Sequence, residues 1–301
     1  MKKKAVRIAI ALLALLVVAA SQAAAAQSEM LVSTAQLAAS LKDPKLVLLQ
    51  VGFNSKAYDG AHIPGARLVL WKDIAVTRNG AANQPIGNQM PPTEALRAAL
   101  EKVGVSDDSR VIIYGDVPLP ATYIYYVLDY FGQKNHAVFM DGLDKWTAEK
   151  RPVDKVVPTV TPGKLTGKPR TELAVDLATA QKMVAEKKVL FVDARPADHF
   201  SGATVFPDTP RSGHIPGAKN VFWMSTLATK DSPTLKSAAD IKALYQAAGI
   251  KPDQEVVTYC RSGLQATHAY FTLKLAGFRP IGIFNGSFGE WSQAPGTVVE
   301  K

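Results

Sequence analysis

The hexapeptide Ala61-His62-Ile63-Pro64-Gly65-Ala66 returns as Gly213-His214-Ile215-Pro216-Gly217-Ala218. Three more pairs recur in the same order. Val47-Leu48-Leu49-Gln50-Val51 precedes the first copy, and Val189-Leu190-Phe191-Val192-Asp193 precedes the second. Downstream, Val111-Ile112-Ile113-Tyr114 matches Val256-Val257-Thr258-Tyr259. Asp141-Gly142-Leu143-Asp144-Lys145-Trp146 matches Asn285-Gly286-Ser287-Phe288-Gly289-Glu290-Trp291. The offsets are 142 for the first strand, 152 for the histidine and 145 for the second strand. The second copy therefore has about ten extra residues before its histidine and about seven fewer after it. Ordered matches of this kind mean duplication, and so long a period gives two domains of one fold rather than a solenoid.

Within each copy, short β-rich apolar runs alternate with helical patterns. Runs such as 189–193 and 256–259 suit a parallel sheet covered on both faces. Ile241, Leu244 and Tyr245 at helical spacing predict a helix over 237–248, and a second helix is predicted over 263–276, stopped by Gly277. The expected fold is α/β, with a parallel sheet flanked by helices in each of two tandem domains. Residues 157–170, rich in Pro, Thr and Gly at their start, read as the linker between a first domain over 27–156 and a second over 171–301.

The first 26 residues read as a secretory signal peptide. Lys2, Lys3, Lys4 and Arg7 precede an apolar run from Ile8 to Ala20, and small residues follow. The run is short for a bilayer span, so contact with a membrane is expected only during export, with the bacterial periplasm as destination. Removing those four cations from 35 basic residues leaves 31 against 26 acidic ones, about +5. With no dense Lys/Arg block, nucleic acid is not an expected partner. Hydrophobic residues at 47% and charged residues at 20% exclude global disorder. The single cysteine excludes an internal disulfide, a multi-thiolate metal site and a CxxC redox motif. The five histidines show no HxxxH or HExxH spacing, and no metal or organic cofactor is expected.

That cysteine, Cys260, follows the predicted strand 256–259 and precedes Arg261-Ser262-Gly263-Leu264-Gln265 and a helix. Open α/β folds place ligands in loops at the carboxyl ends of parallel strands. The free amides of a helix N-terminus favour negative charge there, so a thiolate at position 260 is expected to have a lowered pKa. A lone cysteine can also be a small buried hydrophobe. The first copy sharpens the choice. It carries Gly115-Asp116-Val117-Pro118-Leu119-Pro120, with no nucleophile, a carboxylate where an anion would sit, and prolines that offer no N–H. One copy reads as competent and the other as disabled.

At this point the chain resembles a tandem rhodanese, a sulfurtransferase family with an inactive first domain and an active second one. The resemblance spans about 31–291. It rests on Val192-Asp193-Ala194-Arg195, on the Gly-His-Ile-Pro-Gly-Ala turn, on residues 260–265, and on Asn285-Gly286-Ser287 with Trp291. It implies that Cys260 takes a sulfane sulfur from a small-molecule donor, becomes a persulfide, and passes the sulfur to cyanide, a thiol or a protein acceptor. It also implies substrate contacts from the loop residues Arg261, Ser262, Gly263, Leu264 and Gln265, and from Arg195. Tandem members commonly place an arginine four residues after Arg195, where this chain has His199; Arg211 is a candidate to compensate. Loops of the thiosulfate type often carry basic residues at the second and third positions, and here these are Arg261 and Ser262. Ser262-Gly263 matches the mercaptopyruvate type, which uses a first-domain histidine and aspartate with the loop serine. His62 matches that histidine, but the aspartate position is Val51.

The leading expectation is an exported thiosulfate sulfurtransferase. The alternatives are a mercaptopyruvate sulfurtransferase and a non-enzymatic sulfur carrier. A cysteine phosphatase would need an arginine six residues after the cysteine, where Ala266 stands. His214 and His268 read as structural, and Trp146, Trp291 and the cluster Tyr123 to Tyr126 as packing residues.

Overall fold

The structure is a computed structural model that describes residues 30–206, 209–229 and 234–301. The expected export segment lies outside the described residues.

Eleven strands are formed by the described residues: β1 (Leu46–Gly52), β2 (Arg67–Leu70), β3 (Val76–Asn79), β4 (Pro85–Gln89), β5 (Arg110–Gly115), β6 (His136–Val138), β7 (Ala174–Val175), β8 (Leu190–Asp193), β9 (Lys219–Asn220), β10 (Glu255–Tyr259) and β11 (Arg279–Phe284). The first sheet has the order β2-β1-β5-β6 and the second β7-β11-β10-β8-β9, and every pairing within both is parallel. Read from the opposite edge, the second order repeats the first and adds β7, so the duplication seen in the sequence is a duplication of topology. The apolar runs alternate between two cores, as a sheet covered on both faces requires. Leu49, Val51, Val111 and Ile113 enter one core, and Leu48, Ile112 and Tyr114 enter the other.

The predicted helices form. Ser237 caps the helix Ala238–Ala247, its Oγ accepting from the Asp240 N–H at 3.1 Å. The helix Leu264–Leu275 is followed by Gly277 at φ +81°. It packs on its counterpart in the first domain, Pro118–Tyr130. Tyr125 meets Phe271 edge-on at 4.8 Å, and Tyr126 meets Tyr270 at 5.2 Å. Pairs of this geometry add roughly 0.5–1.5 kcal/mol each beyond the area they bury. At the end of this seam Asp129 accepts from Tyr270 Oη at 3.1 Å and pairs with Lys274 Nζ at 2.5 Å.

The segment read as a linker has no regular structure but is fastened to the first domain. The Gly163 N–H donates to Glu101 O at 2.7 Å and the Leu165 N–H to Glu101 Oε1 at 2.8 Å. The antiparallel hairpin β3–β4 belongs to neither parallel sheet. It occupies the stretch where the first copy is longer, and it extends to the second domain. Gln293 Oε1 accepts from the Ala82 and Gln84 N–H groups at 3.2 and 3.3 Å.

Candidate active site

β10 delivers Cys260 to the carboxyl edge of the second sheet, and Gly263 at φ +102° turns the chain into the next helix. A Cβ there would lie 3.0 Å from Asn285 O, so both the dihedral and the space call for glycine. The turn aims the Gly263 N–H at Cys260 Sγ, 3.2 Å away. The N–H groups of Ser262 and Ala266 also act on the sulfur.

The loop is bolted to the helix Ser287–Gln293. Cys260 N–H donates to Ser287 Oγ at 3.2 Å, and that hydroxyl donates its own hydrogen bond to Phe284 O at 2.9 Å. The Phe288 N–H returns to Cys260 O at 2.9 Å and the Gly289 N–H to Arg261 O at 2.8 Å.

The amide cradle was expected, but its effect on the thiol differs from expectation. Cys260 is 1% exposed and belongs to the apolar core. Burial pushes its pKa up, and the amides of Ser262, Ala266 and Gly263 pull it down without cancelling the rise; the Asp193 carboxylate adds to the rise. The expected lowering therefore does not occur in the resting protein. Desolvation of a fully enclosed anion outweighs three hydrogen bonds.

The other sequence candidates divide into two groups. Arg261, Ser262, Gly263, Leu264 and Gln265 surround Cys260 as its loop and the first turn of its helix. Arg261 lies with Cζ 4.3 Å from the centroid of Phe206, and His199 stacks on the same ring at 4.0 Å, so one aromatic links the two. Arg195 is committed elsewhere. Its Nε donates to both Asp193 oxygens at 3.0 and 2.9 Å, and its Nη2 to Gly213 O at 2.8 Å, with Phe288 stacked 4.0 Å from the guanidinium. Burial opposes its charge, but the Asp193 carboxylate holds its pKa up, with smaller contributions from Tyr259 and Cys260. Arg211 does not compensate for His199. It donates to the carbonyls of Ser292, Trp291 and Ala294 at 2.8, 2.8 and 2.9 Å and closes the end of the last helix.

The histidines of the repeated turn hold the backbone in both copies. His62 stacks on Tyr58 at 3.9 Å, and His214 stacks on Phe200 at 3.7 Å. His62 Nδ1 and Nε2 face Tyr58 O and Val156 O at 2.9 and 3.2 Å. His268 is enclosed, 2.9 Å from Thr226 Oγ1, and burial pushes its pKa down to about 3. In the first copy Asp116 occupies the place of the loop, with Gln50 Nε2 3.4 Å from its Oδ1; burial raises its pKa.

Sequence reasoning missed the hairpin's contribution. Asn88 Nδ2 donates to Ser262 Oγ at 2.9 Å, and Gln89 Nε2 to Ser262 O at 2.9 Å and Asn285 O at 3.0 Å. The available signal was the length difference between the copies after the histidine, which marks where the hairpin lies. Phe206 was likewise missed, within the ten residues added to the second copy.

Comparison with known proteins agrees with this geometry. The rhodanese-like domain matches twice, over residues 33–149 and 176–294. The chain is 34% identical over 289 residues to the sulfur carrier protein TtuD of Thermus thermophilus, covering 92% of this chain and 98% of that one. It is 31% identical over 281 residues to a probable 3-mercaptopyruvate sulfurtransferase of Pseudomonas aeruginosa, covering 89% and 96%. Among solved structures, the 3-mercaptopyruvate sulfurtransferase SseA of Escherichia coli superposes with a TM-score of 0.72 at 22% identity, over 85% of this chain and 98% of that one, which speaks for the fold alone. With two matched domains, the same strand order in each and a single cysteine loop in the second, the chain belongs to the rhodanese-like family as a tandem-domain member.

Proposed function

We propose that the protein is an exported sulfurtransferase that moves a sulfane sulfur from thiosulfate, through a Cys260 persulfide, to cyanide or a thiol, including a thiol on a protein. Sulfur transfer as such follows from the family and from relatives named as sulfurtransferases. The observation that carries the cysteine's role is the Gly263 N–H aimed at Cys260 Sγ at 3.2 Å, at the mouth of a helix that follows a parallel strand.

In the first half-reaction the thiolate attacks the outer sulfur of thiosulfate. The S–S bond breaks, sulfite leaves with its electron pair, and a persulfide anion remains. An acceptor then attacks the outer sulfur and returns Cys260 as thiolate, a double displacement. Residues 261–265 cradle the outer sulfur, Arg261 offsets donor charge, and His199 acts beside it through Phe206. Arg195 contributes its field from behind the sulfur.

Support for thiosulfate over mercaptopyruvate comes from Ser262. Its hydroxyl is engaged by Asn88, while His62 faces two carbonyls and Val51 brings no carboxylate. The sulfur-carrier reading draws on the Thermus relative's name and on the enclosure of Cys260. Support for export is the basic, apolar and small-residue order of the N-terminus, and sequencing the N-terminus of the mature protein tests it.

The function is tested by incubation with thiosulfate, intact-mass measurement and a thiocyanate assay with cyanide. An enzyme gains one sulfur atom on Cys260 and turns over, and Cys260→Ser does neither. A carrier gains the sulfur without rapid turnover. A protein that gains no sulfur from thiosulfate overturns the proposal.

A further inference from the structure

We propose that Gln89, a residue of the first domain, is a positioning residue for Cys260: its side-chain amide fixes the Ser262–Gly263 peptide so that the Gly263 N–H points at the sulfur. This deepens the reading above and rests on Cys260 being the reacting group.

The peptide plane makes the connection. In a trans peptide the C=O and the N–H point in opposite directions. The bond joining Ser262 to Gly263 has its carbonyl held by Gln89 Nε2 at 2.9 Å and its N–H 3.2 Å from Cys260 Sγ. One group therefore sets the direction of the other. A carbonyl that accepts a hydrogen bond also makes its own N–H a better donor, so the amide polarises the contact as well as aiming it.

The hold matters because Gly263 lies at φ +102°, where glycine moves freely. Rotating this one peptide would turn the Ser262 oxygen toward the sulfur, and a carbonyl facing a thiolate repels it. The bond from Gln89 Nε2 to the Ser262 oxygen resists that rotation directly.

Gln89 is itself fixed. It is fully buried, its Oε1 accepts from Arg78 Nε at 3.2 Å, and Arg78 pairs with Glu290 Oε2 at 2.8 Å. A donor on one end of the amide and carbonyls on the other determine which end carries the hydrogens. Nε2 also reaches Asn285 O at 3.0 Å, tying the loop to the segment behind it. Asn88 adds its bond to the Ser262 hydroxyl from a left-handed conformation, φ +57°. A hairpin bolted to the second domain at Gln293, Glu290 and Ser262 thus supports one peptide of the cysteine loop.

The test is the pH dependence of Cys260 alkylation by iodoacetamide in the full-length protein, with no sulfur donor present and with melting temperature measured alongside. Gln89→Met keeps the length and deletes the donors. Its midpoint should rise by about one pH unit, which is about tenfold slower alkylation at any pH below the midpoint. Arg78→Met leaves Gln89 in place but frees its oxygen, and should shift the midpoint less, in the same direction. A folded Gln89→Met with the wild-type midpoint overturns the proposal, even if it melts earlier. Should Gln89→Met fail to fold, an unchanged midpoint in Arg78→Met overturns it. Alkylation needs no sulfur transfer, so a wild type inert to thiosulfate with a shifted Gln89→Met midpoint removes the function and keeps the positioning role.

Discussion

Cys260 feels two opposed influences, and only one could be seen in the sequence. The order of strand, cysteine, small residues and helix places amides at the sulfur. That the side chain would be 1% exposed follows from what packs over it, which no local pattern encodes. Because burial raises the thiol, alkylation and sulfur uptake should both be slow at neutral pH and climb as pH rises, with a midpoint above the ordinary thiol range. A stopped-flow pH profile checks this; a midpoint below that range would show the amides winning. His268 makes a second prediction. Its folded pKa is about 3 against an ordinary 6.5, so the unfolded chain binds the proton first as acid is added. Stability should fall between pH 6.5 and about 3, and His268→Gln should remove that share of the fall, read from urea denaturation across the window.

The elements that carry the fold were legible where burial imposes a pattern. β1, β5 and β10 are enclosed on both faces and read as near-continuous apolar runs, with Gln50 inside β1 and Thr258 inside β10 as the polar interruptions. The hairpin was not legible for the same reason inverted. In β3 three of four residues are exposed and the fourth is half-buried, so no apolar period marks it. Gln89 serves a partner 173 positions away, and that pairing exists only after folding. At the turn between β10 and its helix the requirement is sharper. Gly263→Ala would place a Cβ 3.0 Å from Asn285 O at φ +102°, costing about 1–3 kcal/mol. Chemical denaturation should report that loss, together with slower alkylation of Cys260 as the turn opens.

Over the whole molecule, the seam between the helices Pro118–Tyr130 and Leu264–Leu275 makes one core of two domains. Asp129 anchors it among Lys274, Tyr270 and His136. Asp129→Ala leaves that lysine and hydroxyl without their acceptor and should cost about 3 kcal/mol. Unfolding should remain a single transition, because the aromatic contacts across the seam persist; two separated transitions in calorimetry would show that the halves are only loosely joined. The tandem architecture itself was read correctly from four repeated segments. The reach of one half into the other was not, since it arises where the copies differ.

The loop of the first copy, which carries Gly115 where the second carries Cys260, differs from its counterpart in space as well as in sequence. A Cβ on Gly115 would lie 2.9 Å from Val51 O and 3.1 Å from Val117 O, and the helix beyond opens with Pro118. Gly115→Cys would thus have no room for its own side chain and would meet ring carbons where the other copy offers hydrogens. A single Gly115→Cys substitution therefore does not rebuild in the first domain the cysteine loop of the second; what that domain does offer is its hairpin, which reaches Ser262 and Gln293 across the molecule.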